Sequence, residues 1–404
     1  MKILHTADWH LGHRLHEQSQ NEEQQLFLNW LSAHILAEKY DVLLISGDVF
    51  DTGMPSSQSL NMYYNFLIGL NNSCCKYIVI TGGNHDSPGT LNAPKELLSV
   101  LDIKVVGKAT DPIKKEVFKL TIKNEEVIVG AVPYLRDQDV RKAIAGEDFL
   151  DINDRYKKAL IQHYTEIATY SLTLKENKEI PIIAMGHLFA IGGSISDSEK
   201  DISVGNLGHI GADDFSDEFD YVALGHLHKP QRVGGKAHIR YSGSPVMLSF
   251  SETNYDKKIV KLQIEETKIT EINEITVPKF RNILKIKGSV VSCINQLKNV
   301  TRGEYNLAPW IEIILDENAT VLDISEIKKS AEELLLKILK ITLSKQEKMV
   351  GLEVLLENVK NIKTLKPLDV FTQKCQEQGK DLSEHKDILE AFNEALQIAQ
   401  EQHS

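Results

Sequence analysis

Polar residues of one chemical kind recur where apolar runs stop. KILHTA ends in Asp8, Trp9 and His10, and VLLISG ends in Asp48. YIVITGG ends in Asn84, His85 and Asp86, PIIAMG in His187, and YVALG in His226, Leu227 and His228. Four of these five ends follow a glycine directly. Taken as ligands, Asp8, His10, Asp48, Asn84, His187, His226 and His228 supply two carboxylates, one amide oxygen and four imidazoles, with no thiolate. Mixed oxygen and nitrogen donors suit Mn²⁺, Fe²⁺ or Zn²⁺, and not Ca²⁺ or a structural zinc site. Seven donors exceed the needs of one ion. They suit two ions that share a carboxylate, about 3.5–4 Å apart, an arrangement that hydrolyses phosphoesters.

Each fragment alone has a plainer explanation. Asp48 could cap a helix, Asn84 could close an Asx turn, and His187 could be a hydrogen-bonded core histidine. Five unrelated structural reasons at five strand ends are improbable together, so the set is read as one site.

The elements that would position such a site follow from periodicity. Residues 21–40 carry apolar side chains at helical spacing, and residues 57–72 form a second helical pattern. Strand-like runs alternate with them at 2–8, 41–48 and 76–83, which means an α/β arrangement with parallel pairing. In open α/β sheets, sites assemble beyond the carboxyl ends of the strands. Glycine there lets the backbone turn tightly and approach a ligand. Ligands spread over about 220 residues would thus converge on one edge.

Residues 117–134 read as β-rich with a turn near Asn124, and 151–174 as a long helix. Shorter strands recur at PIIAMG, DYVALG, HIRYSG and KIVKLQI. The texture changes near 277–280. ILKIKG, VSCINQLKNV, WIEIILDE and VLDISEIKKSAEELLLKILKI then read as strand, helix, strand, helix, with the last helix covering 321–341. From Pro367 the chain has three lysines against eight acidic residues. Ile388, Leu389, Phe392, Ala395, Leu396 and Ala399 lie on one helical stripe.

With 404 residues, 42% hydrophobic and 25% charged, the chain is expected to be globular with two or three domains. No run approaches the roughly 18 apolar residues of a membrane helix, and the first residues do not read as a secretory leader, so a cytoplasmic protein is expected. Cys74, Cys75, Cys293 and Cys375 form no CxxC pair and read as inert thiols. A net charge of −11 argues against a passive nucleic-acid coat, yet is compatible with an enzyme whose bound cations restore positive charge locally.

The blocks DWH, GDVFD, GNHD, GH at 186–187 and GHLH resemble the calcineurin-like metallophosphoesterase superfamily. Within it, ILHTADWHLG, GDVFDTG, GNHDSPGTLN, PIIAMGHL, YVALGHLHKPQ and YSGSPVMLSF resemble the Mre-type nucleases, which in bacteria work with a coiled-coil ATPase of the SbcC type. The resemblance implies an α/β fold: a metallophosphoesterase β-sandwich flanked by helices (1–278), a small α+β capping domain (279–362) and a C-terminal helical tail (363–404) that docks on the ATPase coiled coil. It implies DNA as substrate, two divalent ions with Mn²⁺ preferred, and a homodimer through residues 62–70, MYYNFLIGL. Tyr63, Phe66 and Leu67 are its candidates, with ordinary core packing as the competing view.

Carried over by resemblance, one ion would sit on Asp8, His10, Asp48 and His228, and the second on Asp48, Asn84, His187 and His226. His85 would act as the acid facing the leaving group. Asp51 would either accept the His85 ring N–H and hold it cationic, or cap the turn. Asp86 would brace the loop. His13, Arg14 and His16 could touch phosphates or belong to a solvated loop. Arg136 and Arg240 could anchor phosphate or structure, and His5 is expected in the core.

Overall fold

The computed structural model describes residues 1–136, 139, 149–190, 210–316 and 320–343. The chain divides into two compact units, Met1–Ser344 and Lys345–Ser404. All described residues belong to the first, so the expected helical tail, 363–404, lies outside them.

The strands along the chain are β1 (Lys2–Thr6), β2 (Arg14–Leu15), β3 (Gln18–Ser19), β4 (Val42–Ser46), β5 (Tyr77–Thr81), β6 (Ile103–Val106), β7 (Val117–Ile122) and β8 (Glu125–Ala131). They continue with β9 (Ile182–His187), β10 (Tyr221–Gly225), β11 (Gln231–Val233), β12 (Lys236–Tyr241), β13 (Lys258–Glu265) and β14 (Lys268–Thr276). The last three are β15 (Ile283–Gly288), β16 (Trp310–Leu315) and β17 (Lys337–Leu343). One six-stranded sheet runs β14-β13-β1-β4-β5-β6 and another β11-β12-β10-β9-β8-β7. β1, β4, β5 and β6 are mutually parallel, as are β8, β9, β10 and β12.

The two sheets stack face to face. Alternate residues of each strand enter the space between them: Ile3, Val42, Leu44 and Val79 meet Val129, Ile183, Met185 and Ala223. Their neighbours in sequence face outward under helices. Leu4, Leu43 and Ile45 pack below helices Asn21–Glu38 and Ser57–Gly69 with Phe27, Leu31 and Tyr63. Ile128, Ala184 and Val222 pack below helix Phe149–Thr173 with Leu160, Tyr164 and Ile167. Both faces of these strands are therefore dry, which is why VLLIS and YIVI read as unbroken apolar runs instead of alternating ones.

Two expectations are corrected here. Tyr63, Phe66 and Leu67 are buried in the chain's own core against Trp9 and Phe27, so they are packing residues and not an exposed interface. Ile68 is the large apolar side chain of that helix left in solvent, at 61% exposure. The helix expected over 321–341 ends at Glu333. Leu335 then takes a left-handed φ of 56° and residues 337–343 extend as β17 along β16. A one-residue register shift in this ladder, between the Ile311–Ile338 and Glu312–Lys340 pairs, lets Ile338 and Ile341 join one apolar cluster although they are three positions apart, while Leu339 packs in another.

β15, β16 and β17 form a separate parallel sheet. Helices Val290–Lys298 and Val321–Glu333 cover it around Cys293, Leu297, Ile311, Ile313 and Ile327. Arg281 ties this smaller layer to the sandwich. Its guanidinium, nearly excluded from solvent, bonds Glu23 and Glu22, donates to the Ala308 carbonyl at 2.7 Å, and lies 4.3 Å from the centre of the Trp310 ring. Removing Glu23 strips the buried guanidinium of its buried partner and leaves only the exposed Glu22 carboxylate beside it. Glu23→Ala is therefore expected to lose about 3–5 kcal/mol. Urea unfolding would measure this, and a loss below about 1 kcal/mol, the value of a surface pair, would refute the clamp.

Candidate metal centre

The parallel ladders bring the ligand-type residues together. Thr6 pairs with Ile45, Ser46 with Thr81, and Gly225 with His187, so the strands of each sheet end level at the same edge. Pairing continues past β1 and β4. The N–H groups of Asp8, His10 and Leu11 donate to the carbonyls of Gly47, Asp48 and Val49 at 3.1, 3.0 and 2.9 Å. Asp8, His10, Asp48 and His226 hold φ angles of 53°, 44°, 47° and 104°. Left-handed backbone is uncommon outside glycine, and its clustering at four candidate ligands is stored strain of the kind found at functional sites.

Asp48 stands at the centre. Its Oδ1 accepts the His85 backbone N–H at 2.8 Å. Its Oδ2 lies 3.1 Å from His187 Nε2 and 3.6 Å from His10 Nε2. Asn84 Oδ1 lies 2.9 Å from His187 Nε2 and 3.0 Å from His226 Nδ1. Asp8 Oδ1 accepts the His226 N–H at 2.8 Å, and the His10 and His228 rings meet edge to face at 5.0 Å.

All seven residues expected as ligands thus gather at one edge. Donor atoms of Asp8, Asp48 and His187 fall within 4.8 Å of one another, as do those of His10, Asp48 and His85. Asp48 is common to both groups. The second group admits His85, which the sequence pattern alone keeps out of the ligand set.

The site fits a cation. Asp8 Oδ2 and His10 Nε2 are buried without a hydrogen-bond partner among the described residues, a costly condition unless something positive satisfies them. The backbone leaves no spare room. A Cβ on Gly83 would sit 2.1 Å from Asp48 Oδ1, and one on Gly225 would sit 1.9 Å from the Ser46 carbonyl oxygen. Only glycine permits these strand ends to close on each other.

The surrounding side chains correct several roles. Asp86 accepts the N–H groups of Val49, Phe50 and Gly83 at 3.1, 2.9 and 2.9 Å, a loop brace. The Asp51 carboxylate does not reach the His85 ring. The Asp51 backbone carbonyl accepts from His85 Nδ1 at 2.9 Å instead. The carboxylate turns the other way, to His13 Nδ1 at 2.8 Å and His10 Nδ1 at 3.3 Å, because the left-handed turn at Asp48 directs GDVFD back along DWHLGH. Asp51 thus hydrogen-bonds His13 and lies within ion-pair distance of His10, whose Nδ1 makes no hydrogen bond among the described residues, and His13 belongs to the site's surroundings and not to a solvated loop. Arg136 donates to the Asp86 carbonyl and Arg240 pairs with Glu274, both structural contacts. His5 is buried against the Tyr221 hydroxyl, as expected for a core residue.

Two residues escape detection in the sequence. Glu252 lies 3.7 Å from His228 Nδ1, and the buried ammonium of Lys257 bonds Glu252 and also donates to Ser244 Oγ at 2.7 Å. Glu252 is 24 positions beyond His228, on a short 3₁₀ turn (Phe250–Asn254) with no periodic pattern to mark it.

Burial sets the electrostatics. For the protein groups alone, burial pushes the Asp8 carboxyl up to about 7 against the pull of His187 and His228. Burial also lowers His10 to about 4 and His226 to about 3, so both are neutral and ready to ligate at neutral pH. At His187 burial opposes the charge, but the Asp48 carboxylate overcomes it and holds the imidazole up at about 9. Burial alone would raise Asp48, yet the charge and hydrogen bond of His187 outweigh it and keep that carboxyl well below the usual range.

At pH 8, Asp8 has then lost its proton and His187 retains one. An ion that takes the His187 nitrogen must displace that proton, so uptake is expected to release about one proton. Apparent affinity should fall about tenfold per pH unit below 9, and more steeply below 7 as Asp8 also protonates. Calorimetry of Mn²⁺ binding in two buffers of different ionisation enthalpy reads the proton directly. A heat independent of the buffer would contradict the assignment.

The sequence is similar to those of known proteins. The calcineurin-like phosphoesterase model matches residues 1–230, and a model described as the type 5 capsule protein repressor C-terminal domain matches residues 279–379. The chain is 29% identical to the D subunit of the SbcCD nuclease of Escherichia coli K12 over 404 residues, all of both chains. It is 29% identical to the protein of that name from Bacillus subtilis 168 over 327 residues, 80% of this chain and 78% of that one. It is 34% identical to the Rhodobacter capsulatus protein over 276 residues, 65% and 66% respectively. With its ligand-type side chains gathered around Asp48 at the strand ends and the family model covering more than half its length, the chain belongs to the calcineurin-like phosphoesterase family.

Proposed function

We propose that the protein is the nuclease component of an SbcCD-type complex, hydrolysing DNA phosphodiesters with two divalent ions, Mn²⁺ foremost. The observation that carries this reading is the convergence of Asp8, His10, Asp48, Asn84, His187, His226 and His228 on one edge of a phosphoesterase fold. The relatives' shared name supports the substrate and the ATPase partner of the SbcC type. The activities would be double-strand 3′–5′ exonuclease and single-strand or hairpin endonuclease, serving DNA end processing, replication and recombination in the cytoplasm, at the nucleoid. Among the described residues no helix is long and apolar enough to cross a membrane.

We assign one ion to Asp8, His10, Asp48 and His228, and the second to Asp48, Asn84, His187 and His226. When bound, the ions supply Lewis-acid polarisation of the phosphoester and a nucleophile drawn from water at neutral pH. The chain's own part is to hold geometry and move protons. The Asp51 carbonyl accepts from His85 Nδ1–H, so that the ring in its imidazolium form presents Nε2–H to the departing oxygen and becomes neutral imidazole when that proton leaves. The half-buried His85 ring, 4.8 Å from that of His10, stands where substrate can reach it.

The division into 1–278, 279–362 and 363–404 is proposed with the same roles: nuclease, capping and docking on the ATPase coiled coil. A homodimer would use the exposed side of the 62–70 region at Ile68, since Tyr63, Phe66 and Leu67 are committed to the core.

His85→Ala should lower turnover about 10²–10⁴-fold while metal content by mass spectrometry stays at the wild-type level. Loss of metal would make His85 a ligand, the role its place beside His10 and Asp48 also allows. For the substrate class, linear duplex and hairpin DNA are compared with p-nitrophenyl phosphate esters in Mn²⁺. Ester hydrolysis with DNA left intact, even with the ATPase partner added, would sink the nuclease reading.

A further inference from the structure

The contacts behind His10 and His228 close into a ring. His10 Nδ1 faces Asp51 Oδ1 at 3.3 Å, and the same oxygen takes His13 Nδ1 at 2.8 Å. His13 Nε2 reaches the Leu248 carbonyl at 3.1 Å. The Leu248 N–H donates to Glu252 Oε2 at 3.0 Å, and Glu252 Oε1 lies 3.7 Å from His228 Nδ1. His228 returns to His10 through their edge-to-face rings. Lys257 fixes Glu252 from below and donates to the His228 carbonyl at 3.2 Å, while Gln20 Nε2 holds the Met247 carbonyl at 2.8 Å. On the far side Phe250 shares one apolar cluster with Ile283 and Trp310 of the smaller sheet, and His16 stacks on it at 5.6 Å.

His187 is held differently. Its Nδ1 meets the Ser46 carbonyl at 3.0 Å, part of the sheet backbone itself. His187 is thus set against a strand end, whereas His10 and His228 face side chains and a turn distant in sequence.

We propose that His13, Asp51 and Glu252 are positioning residues that orient His10 and His228 for one ion of the pair, leaving the ion beside His187 and His226 independent of them. This rests on the two-ion reading above. Carboxylates behind metal-bound imidazoles fix the ring and raise its basicity, and losing them typically weakens metal binding about 10–100-fold.

The test is a Mn²⁺ binding isotherm on the full chain, read by the electron paramagnetic resonance of free Mn²⁺, with no substrate present. The variants are His13→Ala, Asp51→Asn and the paired Glu252→Gln with Lys257→Met, which avoids stranding the buried ammonium. His13 is part-exposed, so its truncation provides a variant that folds if the core pair does not.

Wild type should take two ions. Each variant should weaken one of them about 10–100-fold and leave the other at its wild-type affinity. Two wild-type affinities retained in the folded variants, or both weakened alike, would overturn the ring's role while the two-ion reading stands. A wild-type isotherm showing fewer than two ions would overturn that reading, and the proposal with it.

Discussion

The Asp48 carboxylate is the point on which the rest of the structure depends. It follows β4, an inner strand of its sheet, and the ligand-bearing ends of β1 and β5 flank it on either side. One oxygen is committed to the His85 amide and the other faces both His187 and His10. Holding a carboxylate there requires a left-handed φ at Asp48, glycine at 47 and 83 to clear the approach, and Asp86 to bind the amides of Val49 and Phe50 that follow it. Each of these costs conformational freedom, and burial of both faces of the sheet offsets that cost.

Burial then decides the chemistry available. Excluding water from the site leaves His10 and His226 as neutral donors, while the Asp48–His187 pair keeps a proton between them. A buried carboxylate with an oxygen unpartnered among the described residues, as at Asp8, is unfavourable in a purely structural role and favourable beside a cation. The same low-dielectric surroundings that make these groups costly in isolation strengthen their hold on a divalent ion.

The surroundings of the site are asymmetric. His187 meets the Ser46 carbonyl at the end of β4, whereas His10 and His228 face the carboxylates of Asp51 and Glu252, which contact His13 and Lys257 in turn. The second set is drawn largely from the 12–20 loop and the 247–257 segment, which also carry the apolar contacts to the small sheet. Stability of the small sheet's junction and orientation of those two imidazoles are therefore served by the same short stretches of chain.

Spacing and strand endings were enough to read a parallel α/β arrangement and to single out seven ligand-type residues that the fold gathers at one edge, while the sandwich layering was implied by the motifs' resemblance to a known family. That legibility has a physical source. Parallel strands buried on both faces must be apolar throughout, so a polar residue at their ends stands out, and parallel pairing obliges those ends to share an edge. Contacts between segments without periodicity carried no such mark. Only the tertiary structure turned the Asp51 carboxylate from His85 to His10, brought Glu252 to His228, and drew Tyr63, Phe66 and Leu67 into the core. It also ended the helix at Glu333 and extended β17, since the open edge of β16 offered Ile338 and Ile341 an apolar neighbour that helical periodicity alone does not reveal. In each case the deciding partner lies outside the local segment, and which of several possible partners a side chain meets is set by how the layers pack.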